Sequence, residues 1–269
     1  MSIAIKRLIA GGLLALAAAL PLNALAGETL SRVVDFRVLK VGMSGSQPPM
    51  NTVNRDGALM GLDVDLARAL ASAMRVQLEI KRMPFGELMT ALEEDKVDMV
   101  ISGLAITPER TEMASFVGPY MVSGKSILTK DSVLSKISAL EEANRDNLKL
   151  AALENSTSAS FVSTVAPEAS LVEIKEYSEG IAMLREGKVD AMVADMPICQ
   201  LSVMRYPDAG FITLERPLTV EPIGIAVSKD DPQFLNLVQN YLDGYTKLGV
   251  MRKLHEKWFE DSSWIAALP

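Results

Sequence analysis

Short apolar runs alternate with amphipathic segments along most of this chain. Runs of strand length occur at 37–43, 76–81, 149–153, 171–175 and 223–227. Apolar residues recur at helical spacing over 63–74, where Asp63 is placed to be the N-cap, over 233–248 and over 250–258, and a further helix ends at Val165. Such alternation is typical of open, mainly parallel sheets that are covered by helices and bind ligands at the carboxyl ends of their strands. The pattern therefore predicts an α/β protein.

One combination of elements occurs twice. Residues 86–101 and 179–194 each contain an amphipathic helix, a turn with Lys-Val-Asp, and a short buried strand. We expect the aspartates of the two turns, Asp98 and Asp190, to form hydrogen bonds that shape the turn before the strand. This repeat suggests two lobes of related design.

The apolar run 97–106 ends at a motif with clear local chemistry, Thr107-Pro108-Glu109-Arg110. Thr107 is suited to cap a helix, Pro108 to its first position, and Glu109 to the positive end of its dipole. Arg110 then places a permanently charged, planar guanidinium beside the helix start, which suits a carboxylate ligand. Taken alone, the motif fits a surface arginine on a capped helix better than a ligand clamp; the rest of the chain reverses that preference.

The N-terminal segment indicates export. Lys6 and Arg7 precede the apolar run 8–20, and Ala24-Leu25-Ala26 is a small-residue cleavage signal. The apolar run is too short for a comfortable membrane span. We therefore expect a secretory signal peptide over 1–26, cut after Ala26, and a periplasmic mature protein.

Charge and composition exclude several classes of function. Removing Lys6 and Arg7 leaves 25 Lys and Arg against 34 Asp and Glu, a net charge of −9, which argues against nucleic acid or anionic lipid as the main partner. With one histidine, His255, and one cysteine, Cys199, neither a soft-metal site nor a Ser-His-Asp triad is expected. We interpret Cys199 as a small buried hydrophobe and His255 as a structural or surface residue. No metal or cofactor is predicted, and we expect a monomer.

Groups of residues spread over nearly the whole mature chain form a specific combination. They are Val41-Gly42-Met43 with Pro48-Pro49, the run from Gly57 to Ala67, Phe85, the run from Thr107 to Arg110, Phe116 with Pro119-Tyr120, Asp190 with Asp195, and Lys257-Trp258-Phe259. Together they resemble the amino-acid type of bacterial periplasmic solute-binding proteins (solute-binding protein family 3), which deliver ligands to ABC importers.

The resemblance implies a two-lobed periplasmic-binding-protein fold of type II. Each lobe would be a mostly parallel sheet flanked by helices, and two hinge strands would join the lobes. Lobe 1 would hold 28–120 and 223–269, and lobe 2 would hold 125–218. The hinge strands would lie near 120–124 and 219–222.

The resemblance also assigns roles to charged and polar residues. Arg110 would grip the α-carboxylate of the ligand, and Thr157 with the backbone around it would share that carboxylate. Asp195 would take the α-ammonium group. The structural alternatives are that Asp195 caps the helix that Pro197 helps to start, and that Ser156 and Thr157 cap the helix after them.

The walls of the pocket follow from the same resemblance. Phe85 and Leu153 would form apolar walls, although Phe85 also fits a purely structural place in the core. Ser102, Gly103 and Ala105 would form the strand end whose backbone and hydroxyl groups face the ligand.

Four positions depart from the family pattern and narrow the ligand. Ser44 stands where an acid is usual, Gln47 where a stacking aromatic is usual, Met50 at the next aromatic position, and Ala105 where serine or threonine is common. Ser44 and Gln47 would still line the pocket. Because Ser44 cannot neutralise a cationic side chain, we expect a neutral or polar amino acid, or a related small carboxylate, in preference to lysine, arginine or histidine.

Three classes of function remain open from the sequence. The first is the binding component of an ABC importer, a non-enzyme whose partner is an inner-membrane permease. The second is an enzyme similar to the cyclohexadienyl dehydratases, whose elimination reaction needs a general acid in the cleft. The third is a receptor component that docks on a membrane sensor instead of a permease.

Overall fold

The structure, a computed structural model, describes residues 27–269. The predicted signal peptide over 1–26 lies outside these residues. Within 27–269, no helix is both long enough and apolar enough to cross a membrane.

The described chain alternates strands and helices, as the apolar pattern predicted. The strands are β1 (Val38–Met43), β2 (Ser46–Gln47), β3 (Asn51–Val53), β4 (Leu59–Met60), β5 (Gln77–Arg82), β6 (Met99–Ala105), β7 (Ser115–Ser123), β8 (Lys125–Thr129), β9 (Lys149–Leu153), β10 (Ser170–Ile174), β11 (Ala191–Asp195), β12 (Ile212–Thr213) and β13 (Glu221–Val227). The helices are α1 (Glu28–Phe36), α2 (Leu62–Met74), α3 (Leu88–Glu93), α4 (Pro108–Met113), α5 (Thr157–Val165), α6 (Tyr177–Arg185), α7 (Met196–Arg205), α8 (Pro232–Lys247) and α9 (Val250–His255). The helix expected over 250–258 changes to a π-helical turn over Glu256–Glu260. The apolar pattern did not predict α1, β7, β8 or the short strands β2, β3, β4 and β12.

Two five-stranded sheets define two lobes. Lobe 1 is built on the sheet β5-β1-β6-β13-β7, and lobe 2 on the sheet β10-β9-β11-β8-β12. The short strands β2, β3 and β4 form a separate antiparallel sheet. The α/β, two-lobed fold class predicted from the sequence is confirmed.

The sheets differ from the expectation in one respect, because they are mixed rather than mostly parallel. In lobe 1, β1 pairs in parallel with β5 and β6, whereas β13 is antiparallel to β6 and β7. In lobe 2, β9 pairs in parallel with β10 and β11, whereas β8 is antiparallel to β11 and β12. The strands in antiparallel pairs include β7, β8, β12 and β13, which flank the two connections between the lobes. Antiparallel pairing therefore occurs where the chain leaves one sheet and where it returns.

The two turn aspartates perform the same task in the two lobes. The Asp98 carboxylate accepts a hydrogen bond from Lys40 N in β1 (2.6 Å), and Asp98 N donates to Lys40 O (2.8 Å). The Asp190 carboxylate accepts from Lys149 N at the start of β9 (2.8 Å), and Asp190 N donates to Lys149 O (2.9 Å). Each aspartate therefore fixes its own turn to the neighbouring strand in the same way in both copies of the repeat.

The two connections between the lobes run side by side. β7 leads through Gly124 into β8, and β12 leads back into β13, which pairs with β7 as far as Glu221 and Ser123. Lys125 N donates to Thr219 Oγ1 across the two connections (2.9 Å). A Cβ atom at Gly124 would lie 2.0 Å from Thr219 O, so this close approach requires glycine.

Apolar side chains of both lobes form one continuous buried cluster. It includes Met50 and Phe85 from lobe 1, and Leu153 and Tyr177 from lobe 2. The facing surfaces of the lobes are therefore in contact, and the carboxyl ends of β6, β9 and β11 lie near this contact.

Candidate functional site

Arg110 bridges the two lobes at the start of α4. Thr107 caps this helix, because its Oγ1 accepts a hydrogen bond from Arg110 N (3.2 Å), and Pro108 occupies the first helical position, as predicted. The guanidinium donates from Nη1 to Ala105 O in lobe 1 (2.9 Å) and from Nη2 to Asn155 O in lobe 2 (3.3 Å). It also lies 5.7 Å from the centre of the Phe85 ring.

The electrostatic surroundings of Arg110 are those of a partly buried cation. Burial lowers the pKa of its guanidinium, and the nearby carboxylates of Glu221 and Asp195 oppose that shift. An arginine stays charged under any such shift, so the site holds a fixed positive charge. A guanidinium has five N–H donors, and two are directed at the carbonyls of Ala105 and Asn155, which leaves capacity for a carboxylate.

Asp195 lies at the end of β11 and contacts a lysine that sequence analysis did not select. Its Oδ1 accepts a hydrogen bond from Lys125 Nζ (2.8 Å), and Lys125 Nζ is also 2.9 Å from Glu221 Oε2. Asp195 occupies the N-cap position of α7, as the capping alternative expected, but its side chain makes no capping hydrogen bond to that helix. The one visible signal for Lys125 was a charge at the start of the short run Lys125–Thr129, which is otherwise apolar or hydroxylated.

Thr157 begins α5, and its hydroxyl group faces Glu221, the second carboxylate that contacts Lys125. Thr157 Oγ1 donates to Glu221 Oε2 (3.0 Å), and Thr219 Oγ1 donates to Glu221 Oε1 (3.3 Å). The cap of α5 is Ser156, whose Oγ accepts from Ala159 N (3.2 Å). A hydroxyl group carries one proton, and Thr157 donates it to Glu221. In this arrangement the Thr157 hydroxyl therefore has no second donor for a ligand carboxylate.

Ser44, Gln47 and Ser102 form a buried hydrogen-bond network beneath the lobe 1 side of the contact. Gln47 Nε2 lies 3.0 Å from Ser44 Oγ, 3.1 Å from Ser102 Oγ and 2.9 Å from Ser102 O. Asn51 Oδ1 accepts from Ser44 Oγ (3.0 Å) and from Gly45 N (2.7 Å). The Gln47 side chain therefore holds the strand end at Ser102 instead of presenting a stacking face.

Asp63 is part of this network, and the expectation that it caps α2 is wrong. Gly61 occupies the cap position, with φ +132°, and its missing side chain admits Met50 O, which would lie 2.2 Å from a Cβ atom. The Asp63 carboxylate instead accepts from Tyr120 Oη (2.7 Å), Asn51 Nδ2 (2.8 Å) and Gly103 N (3.0 Å). Burial raises the pKa of Asp63 to about 6, although these three donors oppose the shift.

Within residues 27–269, several cavities open on the contact between the lobes, and two of them are lined by predicted site residues and charged groups. One, of about 490 Å³, is lined by Arg110 and Glu109 from lobe 1, Asn155 and Thr157 from lobe 2, and Glu221. The other, of about 710 Å³, is lined by Ser44 and Arg82 from lobe 1 and by Lys175 and Glu176 from lobe 2. Charged groups of both signs line both cavities.

The structure brings most of the predicted site residues to the inter-lobe contact, but in two groups. Arg110, Phe85, Ala105, Thr157 and Asp195 lie in or next to the charged group that includes Lys125 and Glu221. Ser44, Gln47, Ser102 and Gly103 belong to the buried network around Asp63. Leu153 is fully buried, and its carbonyl accepts from the Ser156 hydroxyl (2.5 Å).

The single cysteine and the single histidine lie apart from the cavities of the site. Within 27–269, no group of three or more His, Cys, Asp or Glu side chains could hold a metal ion. Cys199 is buried, and burial together with the charge of Asp195 raises the pKa of its thiol to about 12. His255 stacks on Phe259 in the surface of lobe 1, with ring centres 4.6 Å apart.

Comparison with known proteins gives consistent results. Residues 39–261 match the sequence model of the bacterial extracellular solute-binding proteins, family 3. The chain is 26% identical to ABC transporter arginine-binding protein 1 of Escherichia coli over 82% of this chain and 90% of that protein. It is 25% identical to the cyclohexadienyl dehydratase of Pseudomonas aeruginosa over 86% of each chain. Among solved structures, an ancestral amino acid-binding protein, a precursor of cyclohexadienyl dehydratase, superposes with a TM-score of 0.78 at 33% identity over 86% of this chain and 99% of that chain.

Proposed function

Because this chain belongs to the bacterial extracellular solute-binding proteins, family 3, we propose that it is the substrate-binding component of an ABC importer. Its ligand is an amino acid or a related small carboxylate, which is held between the lobes by hinge closure. The inner-membrane permease of the importer is its partner. The mature chain from Gly27 onward acts in the periplasm as a monomer, after removal of the signal peptide.

The observation that carries this proposal is the position of Arg110. Its guanidinium is held by carbonyl groups of both lobes, Ala105 O and Asn155 O, at the wall of the cavity of about 490 Å³. Because residues of both lobes line this cavity, a carboxylate bound at the guanidinium lies between the lobes, so its binding favours the closed arrangement over an open one. The capped start of α4 and the N–H groups at the start of α5 add favourable dipoles for an anion.

The remaining residues supply shape and specificity under this proposal. Phe85 and Leu153 provide the apolar walls, and Ser102, Gly103 and Ala105 provide the polar strand end. Thr157 and Asp195 contribute polar groups to the site from lobe 2. Ser44 and Gln47 hold that strand end in place through the buried network around Asp63.

A dehydratase activity is the alternative that the relatives raise. That reaction needs a proton donor in the cleft. The carboxylates of Asp195 and Glu221 both lie against the Lys125 ammonium and accept from it, so they are placed as acceptors. We therefore propose a binding function without catalysis, and an assay of product formation from prephenate with the purified protein tests this point.

A ligand screen tests the proposal as a whole. The mature chain is heated with single amino acids, 2-oxo acids, 2-hydroxy acids and dicarboxylates, and a bound ligand raises the midpoint of unfolding by mass action. Hits are confirmed by calorimetry on the wild type, on Arg110→Met and on the matched surface control Arg252→Met. The proposal fails if no carboxylate binds, or if Arg110→Met binds the confirmed ligand as tightly as the control does.

The partner is tested separately. A membrane fraction from the source organism, with and without the confirmed ligand, is passed over the immobilised protein, and the retained membrane proteins are identified. Retention of a permease supports the importer, whereas retention of a sensor without a permease supports the receptor alternative.

A further inference from the structure

Lys125 is an unusual residue for the interior of this protein. It is among the largest fully buried side chains of the described chain, with 2% of the side chain exposed. A buried ammonium group is costly unless it is paired and hydrogen-bonded. The burial of Lys125 therefore indicates a function that offsets the cost of removing its ammonium group from water.

The backbone register of lobe 2 fixes Lys125 beside Asp195. The two residues are direct partners in the antiparallel pair β8–β11, so their side chains project from the same face of the sheet. Lys125 Nζ donates to Asp195 Oδ1 at 2.8 Å. This pairing follows from the strand register and does not depend on a flexible loop.

Glu221 completes the arrangement from the returning connection between the lobes. Its Oε2 lies 2.9 Å from Lys125 Nζ and accepts from Thr157 Oγ1 at 3.0 Å. Burial alone would lower the pKa of Lys125, but the charges and hydrogen bonds of the two carboxylates outweigh it and raise that pKa. Lys125 is therefore a permanent ammonium group next to Asp195.

The consequence concerns the ligand. An α-ammonium group that approached Asp195 would have to compete with the Lys125 ammonium, which already pairs with Asp195 and Glu221, and would gain less from these carboxylates than it would from an unpaired acid. A lysine ammonium has three N–H donors, and two are directed at Asp195 and Glu221. The third is directed at neither carboxylate and is left for an oxygen acceptor on the ligand, because Glu221, which pairs with Lys125, lines the same cavity as Arg110.

We infer that Lys125 replaces the ligand ammonium, so that this site prefers small 2-oxo or 2-hydroxy carboxylates to the corresponding α-amino acids. The inference rests on the proposed function, because Arg110 still supplies the carboxylate contact. It selects among the ligand classes that the proposed function leaves open.

Calorimetry with matched ligands tests the inference on the wild-type mature chain. The probes are pyruvate, lactate and alanine; 4-methyl-2-oxopentanoate, its 2-hydroxy analogue and leucine; and phenylpyruvate, phenyllactate and phenylalanine. Within the set whose side chain fits, we expect the oxo or hydroxy acid to bind about 100-fold more tightly than the amino acid. An amino acid that binds as tightly as its oxo and hydroxy analogues overturns the inference and leaves the proposed function intact. Failure of every carboxylate, including those of the wider screen, overturns the proposed function as well.

Substitution of Lys125 tests whether this residue causes the preference for oxo and hydroxy acids. In Lys125→Met the two carboxylates have lost their cation, so the amino acid should gain affinity and the oxo acid should lose it, reversing the order. The matched control is Lys130→Met, which removes an exposed lysine just beyond the other end of β8 and should leave the order unchanged. If Lys125→Met does not fold, Lys125→Met/Asp195→Asn restores the net charge of the group that includes Glu221 and should bind the two classes within a few-fold of each other. An unchanged preference in a folded Lys125 variant contradicts the inference.

Discussion

Asp63 is expected to make the stability of this protein depend on pH in a characteristic way. Burial raises the pKa of its carboxyl from 3.8 to about 6, against the opposing effect of hydrogen bonds from Tyr120, Asn51 and Gly103. Between about pH 4 and about pH 6, the folded protein therefore retains a proton that the unfolded chain has released.

The sign and size of the effect follow from these proton counts. The free energy of unfolding changes with pH in proportion to the protons bound by the unfolded state minus those bound by the folded state. For Asp63 this difference is negative, so its contribution to stability falls as pH rises through this range and becomes constant above it. The rise from 3.8 to about 6 corresponds to about 3 kcal/mol.

Urea unfolding of the wild type and of Asp63→Asn, followed by tryptophan fluorescence at several values from about pH 4 to about pH 7, measures this contribution. The free energy of unfolding of the wild type minus that of the variant should fall by about 3 kcal/mol across the range. Subtraction removes the contributions of other titrating groups that the two proteins share. Asp56→Asn, in an exposed turn, serves as the control and should run parallel to the wild type. If Asp63→Asn also runs parallel to the wild type, the assignment of the raised pKa to Asp63 is refuted.

Further substitutions test the backbone and the cleft. Gly61→Ala should lower the free energy of unfolding by at least about 2 kcal/mol, because of its positive φ and the closeness of a backbone carbonyl. Gly244→Ala, in open space on α8, should raise it by about 1 kcal/mol, and urea unfolding measures both. Asp190→Ala should cost about 1–2 kcal/mol through the lost bond to β9, and equal stability to the wild type would contradict that role. Arg110→Met should weaken the ligand found by screening roughly 30-fold to several thousand-fold in calorimetry, and a change below about threefold would contradict the carboxylate clamp.

The features that the sequence predicted well are those determined by neighbouring residues. Thr107 and Pro108 start α4 as their chemistry requires, because capping depends on groups within three residues. Asp98 and Asp190 were recognised as hydrogen-bonding turn residues from a repeated local pattern. Their exact partners, Lys40 and Lys149, needed the structure, because each lies on a strand distant in sequence.

The features that escaped prediction depend on contacts between distant segments. Asp63 has the local signature of a helix cap, but Gly61 provides the turn, and the partners of Asp63 include Gly103 and Tyr120, which are 40 and 57 residues away. The pairing of Lys125 with Asp195 spans 70 residues and follows from a strand register that apolar periodicity does not specify. The mixed sheets were missed for the same reason, since strand direction is set by how the chain passes between the lobes.

The side-by-side connections between the lobes restrict how one lobe can turn against the other. β7 and β13 are paired as far as Ser123 and Glu221, and Lys125 N and Thr219 Oγ1 link the chain just beyond. Rotation of one lobe against the other therefore bends the two connections at the same level, as a single hinge. Twisting or sliding of β7 against β13 would break the hydrogen bonds between them. Each width of the cleft mouth then corresponds to one orientation of the outer faces, so a partner that touches only those faces can distinguish a shut cleft from an open one.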